Sequence, residues 1–143
     1  MRRKQSGVTL VELLITVGII GILAAIAYPS YQAQVRRGNR TDAKAELMEA
    51  SQELEKCFTR FGRYLPTAAN QCVAYDQISG AGRLSEKGKY RVTFNGAVTR
   101  TTYQLLATRE PNTGPDPECG NFTLDQTGLR GIAGGTDTAQ RCW

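Results

Sequence analysis

Residues 7–28 read GVTLVELLITVGIIGILAAIAY. From Val8 to Tyr28 the chain is almost entirely apolar or small over 21 positions, with one charge, Glu12. A helix that spans hydrocarbon needs about 20 such residues, and at about 1.5 Å per residue this one is about 30 Å long. A secretory signal peptide is the rival reading. Its apolar region is about 7–15 residues long and ends in a small-residue cleavage site. Here the run is longer, and Tyr28-Pro29-Ser30 is a poor site of that kind.

On the N-terminal side lies MRRKQSG, basic, polar and too short to fold. It holds Arg2, Arg3 and Lys4, three of the 18 basic residues, and no acid. Without it the 143-residue chain keeps 15 basic and 13 acidic residues, so the net charge falls from +5 to +2. Net charge therefore gives little reason to expect a generic nucleic-acid surface.

On the C-terminal side the helical pattern runs past Pro29. Leu47, Ser51, Leu54, Phe58 and Phe61 are spaced four, three, four and three, one stripe of a helix. Ala43, Ala50 and Cys57 flank it, and Lys44, Glu46, Glu49, Glu53 and Glu55 occupy much of the rest. The pattern predicts one helix ending near Gly62. Gly21 and Pro29 are its weak points, because glycine has low helix propensity and proline lacks a backbone donor.

Residues 62–88 carry turn residues without a clear period and read as a loop. Tyr90, Val92 and Phe94 alternate with polar residues, as do Tyr103, Leu105 and Ala107 within Thr102 to Thr108. Asn95-Gly96 marks a turn between these strands. Phe122 and Leu124 share a face of a third strand, Asn121 to Asp125, and Gly128 allows a turn into a fourth at Leu129. Arg109 to Glu118 reads as a loop, and Gly131 to Trp143 as an irregular tail. The expected class is α+β: a long N-terminal helix whose second half packs on a small antiparallel sheet, each covering the other's apolar face.

There is no histidine, hence neither the commonest general base nor the commonest transition-metal ligand. No nucleophile–base pattern is present, so an enzyme is the least favoured class, and no cofactor or metal is expected. Cys57, Cys72, Cys119 and Cys142 are not two C-x-x-C pairs, which disfavours zinc. Widely spaced cysteines on an exported chain read as two disulfides. Three pairings are open. The closest in sequence are Cys57 with Cys72 and Cys119 with Cys142, each stabilising by about 3 kcal/mol in the chain-entropy model.

The run Gly7-Val8-Thr9-Leu10-Val11-Glu12, a basic leader ending in Gly before an apolar helix with an early carboxylate, resembles the N-terminal signal of type IV pilins and pseudopilins. The resemblance implies cleavage between Gly7 and Val8 by a prepilin peptidase, N-methylation of Val8, and a pilin fold. The family usually has Phe where this chain has Val8. The expected division is a leader, 1–7; a transmembrane and filament-core helix, 8–28; and an exported globular domain, 29–143, that includes the amphipathic half of the helix. A carboxylate inside a spanning helix costs about 2.5–3.5 kcal/mol at its centre, so Glu12 calls for a partner. The free amine of Val8, in its own or a neighbouring subunit, supplies one. The alternative is an acid that only favours the helix dipole. Gly21 to Pro29 also resembles the stretch that loses helical order when pilins enter a filament.

Cys119 to Gly128 followed by Cys142-Trp143 looks like the disulfide-bonded C-terminal module of minor pilins of the PilE type. The implied function is a structural, minor subunit of a type IV pilus serving adhesion, twitching motility or DNA uptake. It would sit in the inner membrane before assembly and in the extracellular filament after it. Its partners would be other pilins, the prepilin peptidase, the assembly platform and the inner membrane. The alternatives are a DNA-binding pilin receptor and a type II secretion pseudopilin. Arg36, Arg37, Arg40 and Lys44 form a basic cluster beyond the span that can contact DNA. The preferred reading is a solvated face, or charges that pair with acids of neighbouring subunits, because no aromatic stacking platform is interleaved.

Overall fold

The computed structural model describes residues 7–143. The leader expected at 1–7 lies outside the described residues except for Gly7. The chain divides into two units, residues up to Arg36 and Arg37–Trp143.

Helix α1, Leu10–Phe61, is 52 residues long and keeps its helical assignment through Pro29. Thr9 starts it: its hydroxyl accepts the Glu12 N–H at 3.3 Å and its carbonyl the Leu13 N–H at 3.1 Å. That is how an N-cap residue satisfies the first orphan donors. In the first unit the apolar side chains from Leu10 to Ile26 are exposed. None of that apolar stretch is buried. A helix that is apolar all round is stable only with its surface in lipid or against other protein.

In the second unit α1 offers Ala43, Leu47, Ala50 and Leu54 as its fully buried face. The alanines keep this face low, and Leu47 and Leu54 fill the space between. Each leucine contributes about 2 kcal/mol by burial. Ser51 and Phe58 are half-buried, and Ser51 spends its hydroxyl on Tyr103 Oη at 2.9 Å. Gly62 ends the helix: at φ +67° its N–H reaches the Phe58 carbonyl at 2.7 Å, in a conformation that costs least without a Cβ.

The sheet is an antiparallel meander in the order β1-β2-β3-β4-β5. The strands are β1 Arg83–Leu84, β2 Tyr90–Phe94, β3 Gln104–Arg109, β4 Asn121–Asp125 and β5 Arg130–Ala133. Period-two alternation turns Tyr90, Val92, Leu105, Ala107, Phe122 and Leu124 into one core with the buried face of α1. The pairings Phe94↔Leu105 and Ala107↔Phe122 keep those side chains on one face.

Three features depart from the sequence reading. Residues 62–88 contain α2, Val73–Ser79, as well as β1. Helix α2 buries only Ala74 and Ile78, too few positions to show a period. The β2–β3 connection runs from Asn95 to Tyr103 rather than closing tightly at Asn95-Gly96. It is tied to the end of α1, where the Tyr64 N–H meets the Arg100 carbonyl at 2.9 Å. The tail is ordered: β5 is followed by α3, Ala139–Cys142, and Trp143 Nε1 donates to the Gly131 carbonyl at 2.8 Å.

Candidate functional site

Gly7 and Val8 precede α1 and are exposed. Glu12 lies in the first turn of α1, where an acid favours the helix dipole and Thr9 holds its N–H. A side chain added at Gly18 or Gly21 would meet nothing within 4 Å, so this chain's own fold does not require glycine there. Small residues on an apolar helix suit close approach by another helix.

The fold uses the members of the basic cluster beyond the span differently, and Arg40 pairs with acids of its own chain. Arg36 closes the first unit, and Arg37 is an exposed residue of the second. Arg40 grips Asp116 through Nε and Nη2, both at 2.7 Å, and reaches Glu118 at 2.6 Å. Burial alone would raise the Asp116 carboxyl. The hydrogen bonds from Arg40 and the Cys119 amide, with the guanidinium charge, outweigh it and hold Asp116 below the usual carboxylate range. Lys44 sits 5.7 Å from the Phe122 ring and 3.4 Å from the Trp143 carbonyl. Burial, then the charges of Arg40 and Arg130, push its pKa down. Arg40 and Lys44 thus serve the globular unit internally.

The same accounting applies along α1. Arg83 collects Glu46 at 2.5 Å, Glu49 at 2.8 Å, and Glu53. Arg91 pairs with Glu110 at 2.8 Å. Glu55 accepts from the Tyr64 hydroxyl at 2.7 Å and the Tyr103 hydroxyl at 3.4 Å. Burial first, then that hydrogen bond, raise the Tyr64 phenol. Glu46, Glu49, Glu53 and Glu55 are therefore committed to partners other than the cations at the end of this helix.

Several other cations among the described residues lack an acid partner, and four of them, Lys56, Arg60, Arg63 and Arg100, gather at the C-terminal end of α1. Lys56, Arg60 and Arg100 are exposed and Arg63 is half-exposed. Among the described residues none of the four has a carboxylate within 4.0 Å. Arg100 reaches this end through its Nε, which donates to the Gly62 carbonyl at 3.4 Å. Arg60 lies over the half-exposed Phe61 ring, 5.2 Å from its centroid. Arg60 also favours the helix dipole, but four unpaired cations exceed what one helix end requires. Nothing in the linear sequence singles them out. Lys56, Arg60 and Arg63 lie close in sequence, but Glu53 and Glu55 stand beside them, and Arg100 joins only through the fold.

The C-terminal module is closed by Cys119–Cys142, with the other disulfide at Cys57–Cys72. The Thr136 and Asp137 N–H groups reach the Pro117 and Glu118 carbonyls at 3.1 and 2.9 Å. At φ +61°, a Cβ on Gly120 would come within 2.6 Å of the Ala133 carbonyl, so this crossing needs glycine. Trp143 packs edge-on against Phe122, with ring centroids 5.9 Å apart.

Comparison with known proteins bears on all of these parts. Residues 2–28 match the family model for the prokaryotic N-terminal methylation motif. Residues 29–123 match the model described as "Type IV minor pilin ComP, DNA uptake sequence receptor". A fimbrial protein of Pseudomonas aeruginosa is 33% identical over 119 residues, covering 78% of this chain and 73% of that protein. The type IV major fimbrial protein FimA of Dichelobacter nodosus is 44% identical over 57 residues, 40% of this chain. The match spans 36% of the length of that relative. The fold resembles the non-core minor pilin PilV of Neisseria meningitidis, with a TM-score of 0.54 at 18% identity, over 74% of this chain and 94% of that one. The apolar N-terminal helix and the methylation motif fit anchoring in the inner membrane and then residence in an extracellular pilus. A signal motif at the N-terminus and a globular match over most of the remainder place this chain in the type IV pilin family, with the ComP-type minor pilins.

Proposed function

We propose that this pilin is a minor subunit of a type IV pilus whose globular unit captures DNA for uptake. In this reading the prepilin peptidase cuts between Gly7 and Val8 and methylates Val8. The 8–28 helix leaves the inner membrane for the filament core, helped by a loss of helical order between Gly21 and Pro29, and residues 29–143 face outward. Glu12 pairs with the Val8 amine of its own or a neighbouring subunit, which neutralises a carboxylate otherwise costly in an apolar bundle. Replacing Glu12 by Ala should leave processing intact and reduce recovery of the subunit in sheared filaments. Undiminished recovery would refute the pairing.

The observation that carries the DNA reading is that Lys56, Arg60, Arg63 and Arg100 gather at one end of α1, and among the described residues none of them has a carboxylate within 4.0 Å. Unpaired cations are what a phosphate backbone selects, because each contact releases a condensed counterion. The globular match to ComP-type minor pilins supports the same reading. The test is a salt titration of duplex DNA binding by the full-length chain in detergent micelles. Four phosphate contacts give a slope of log K against log salt of roughly −3 to −4. Replacing all four cations by Ala should abolish most of that slope, whereas Arg37→Ala should lower it by no more than about one contact. Absence of binding at low salt would remove the DNA reading and leave the filament reading standing.

A further inference from the structure

A cavity of about 300 Å³ opens between the last turns of α1 and helix α2, directly beside the unpaired cations. Phe61, Val73 and Ala74 form its apolar part, and Lys56 and Arg60 also line it. The disulfide Cys57–Cys72 ties the start of α2 to α1 and so holds the two walls together. Two amides complete the lining. Gln71 has its Oε1 occupied by the Thr67 N–H at 2.9 Å, which leaves its NH₂ as a donor. Gln77 makes no side-chain hydrogen bond among the described residues, so it can donate and accept. Glu53, the acid in this lining, is engaged by Arg83.

We infer that this cavity takes one nucleobase turned out of the stack, so that DNA held at the neighbouring cations is read at an unpaired nucleotide. The inference rests on the DNA reading above and names which part of the ligand enters this site. Its volume is at the lower end for small-molecule pockets, too small for a duplex and sufficient for one ring system. Arg60 lies over the Phe61 ring, and the outer plane of its guanidinium is a stacking surface for any base. Free amides read base edges, glutamine pairing with adenine being the commonest case. Charge complementarity identifies the occupant: a base entering here brings its own phosphates to Lys56 and Arg60. Turning out a paired base costs stacking and pairing, and an unpaired nucleotide is spared that cost.

The experiment compares two labelled duplexes of equal length, binding to the full-length chain in detergent micelles. One is fully paired. The other carries one unpaired nucleotide, a fluorescent base analogue that reports unstacking. The second duplex should bind about tenfold more tightly, within the range that stacking one base supplies. Val73→Trp fills the cavity from a position that is 62% exposed. It should erase that preference and leave affinity for the paired duplex unchanged. Gln77→Leu should reduce the preference in the same selective way. Equal affinity of the wild-type chain for both duplexes overturns the inference and leaves the DNA reading intact. Loss of binding to both overturns the two together. A preference that survives Val73→Trp also overturns the inference.

Discussion

Asp116 is 5% exposed and receives two hydrogen bonds from Arg40, a residue 76 positions away. A carboxyl held lower in the fold than in the unfolded chain stabilises at pH values above its unfolded pKa, about 3.9. That stabilisation is lost as the pH falls through the folded value. Asp116→Asn should therefore cost about 3 kcal/mol at neutral pH, because it leaves Arg40 with only the exposed Glu118. The gap to the wild type should begin to narrow as the pH drops below about 4, where the unfolded chain takes up the proton, and close only below the lower folded value, where the wild-type carboxyl is protonated too. Thermal unfolding at a series of pH values checks this, and a gap independent of pH would contradict it. Glu46 works in the opposite sense, since burial raises its carboxyl despite the Arg83 charge. At this scale the sequence was least legible. It shows that Arg40 is basic, but not that its counter-charge stands across the C-terminal module.

At the scale of elements, legibility followed length and period. The buried face of α1 repeats every three to four residues from Ala43 to Leu54, and β2, β3 and β4 set apolar side chains at alternate positions in sequence, so their side chains reveal their partners. Helix α2 and strand β1, with seven and two residues, are too short for a period. They exist because Cys57–Cys72, the Tyr75–Phe94 ring contact and pairing with β2 hold them. The C-terminal disulfide is a similar device. Cys119 and Cys142 are both buried, and their bond closes a separation of 23 residues. Replacing both by Ser should lower stability by about 3 kcal/mol, or roughly 10–20 °C in Tm. Calorimetry of the double variant measures it. The effect should be largely confined to stability, with the cations Lys56, Arg60, Arg63 and Arg100 left in place below the new Tm.

For the whole molecule, the exposed apolar helix and the leader junction make one joint prediction. The subunit recovered from sheared filaments should have a mass that begins at Val8, with one added methyl group and two disulfides. A mass beginning after Tyr28 would instead mark an ordinary secreted domain. The sequence alone was enough for the apolar N-terminal helix, the continuation of α1 to Gly62 and three of the strands. All of these are written in composition and short-range periodicity, which a linear chain displays directly. The tertiary structure decided which charges are spent and which remain free. Coulomb pairing acts through space: Arg40 is neutralised from 76 residues away, and Arg83 by acids 30 to 37 residues before it. Arg100 is carried by its loop to the end of α1. The basic cluster obvious in the sequence was thereby drawn partly into the fold, and the candidate DNA surface came to lie at a set of cations that only folding brings together.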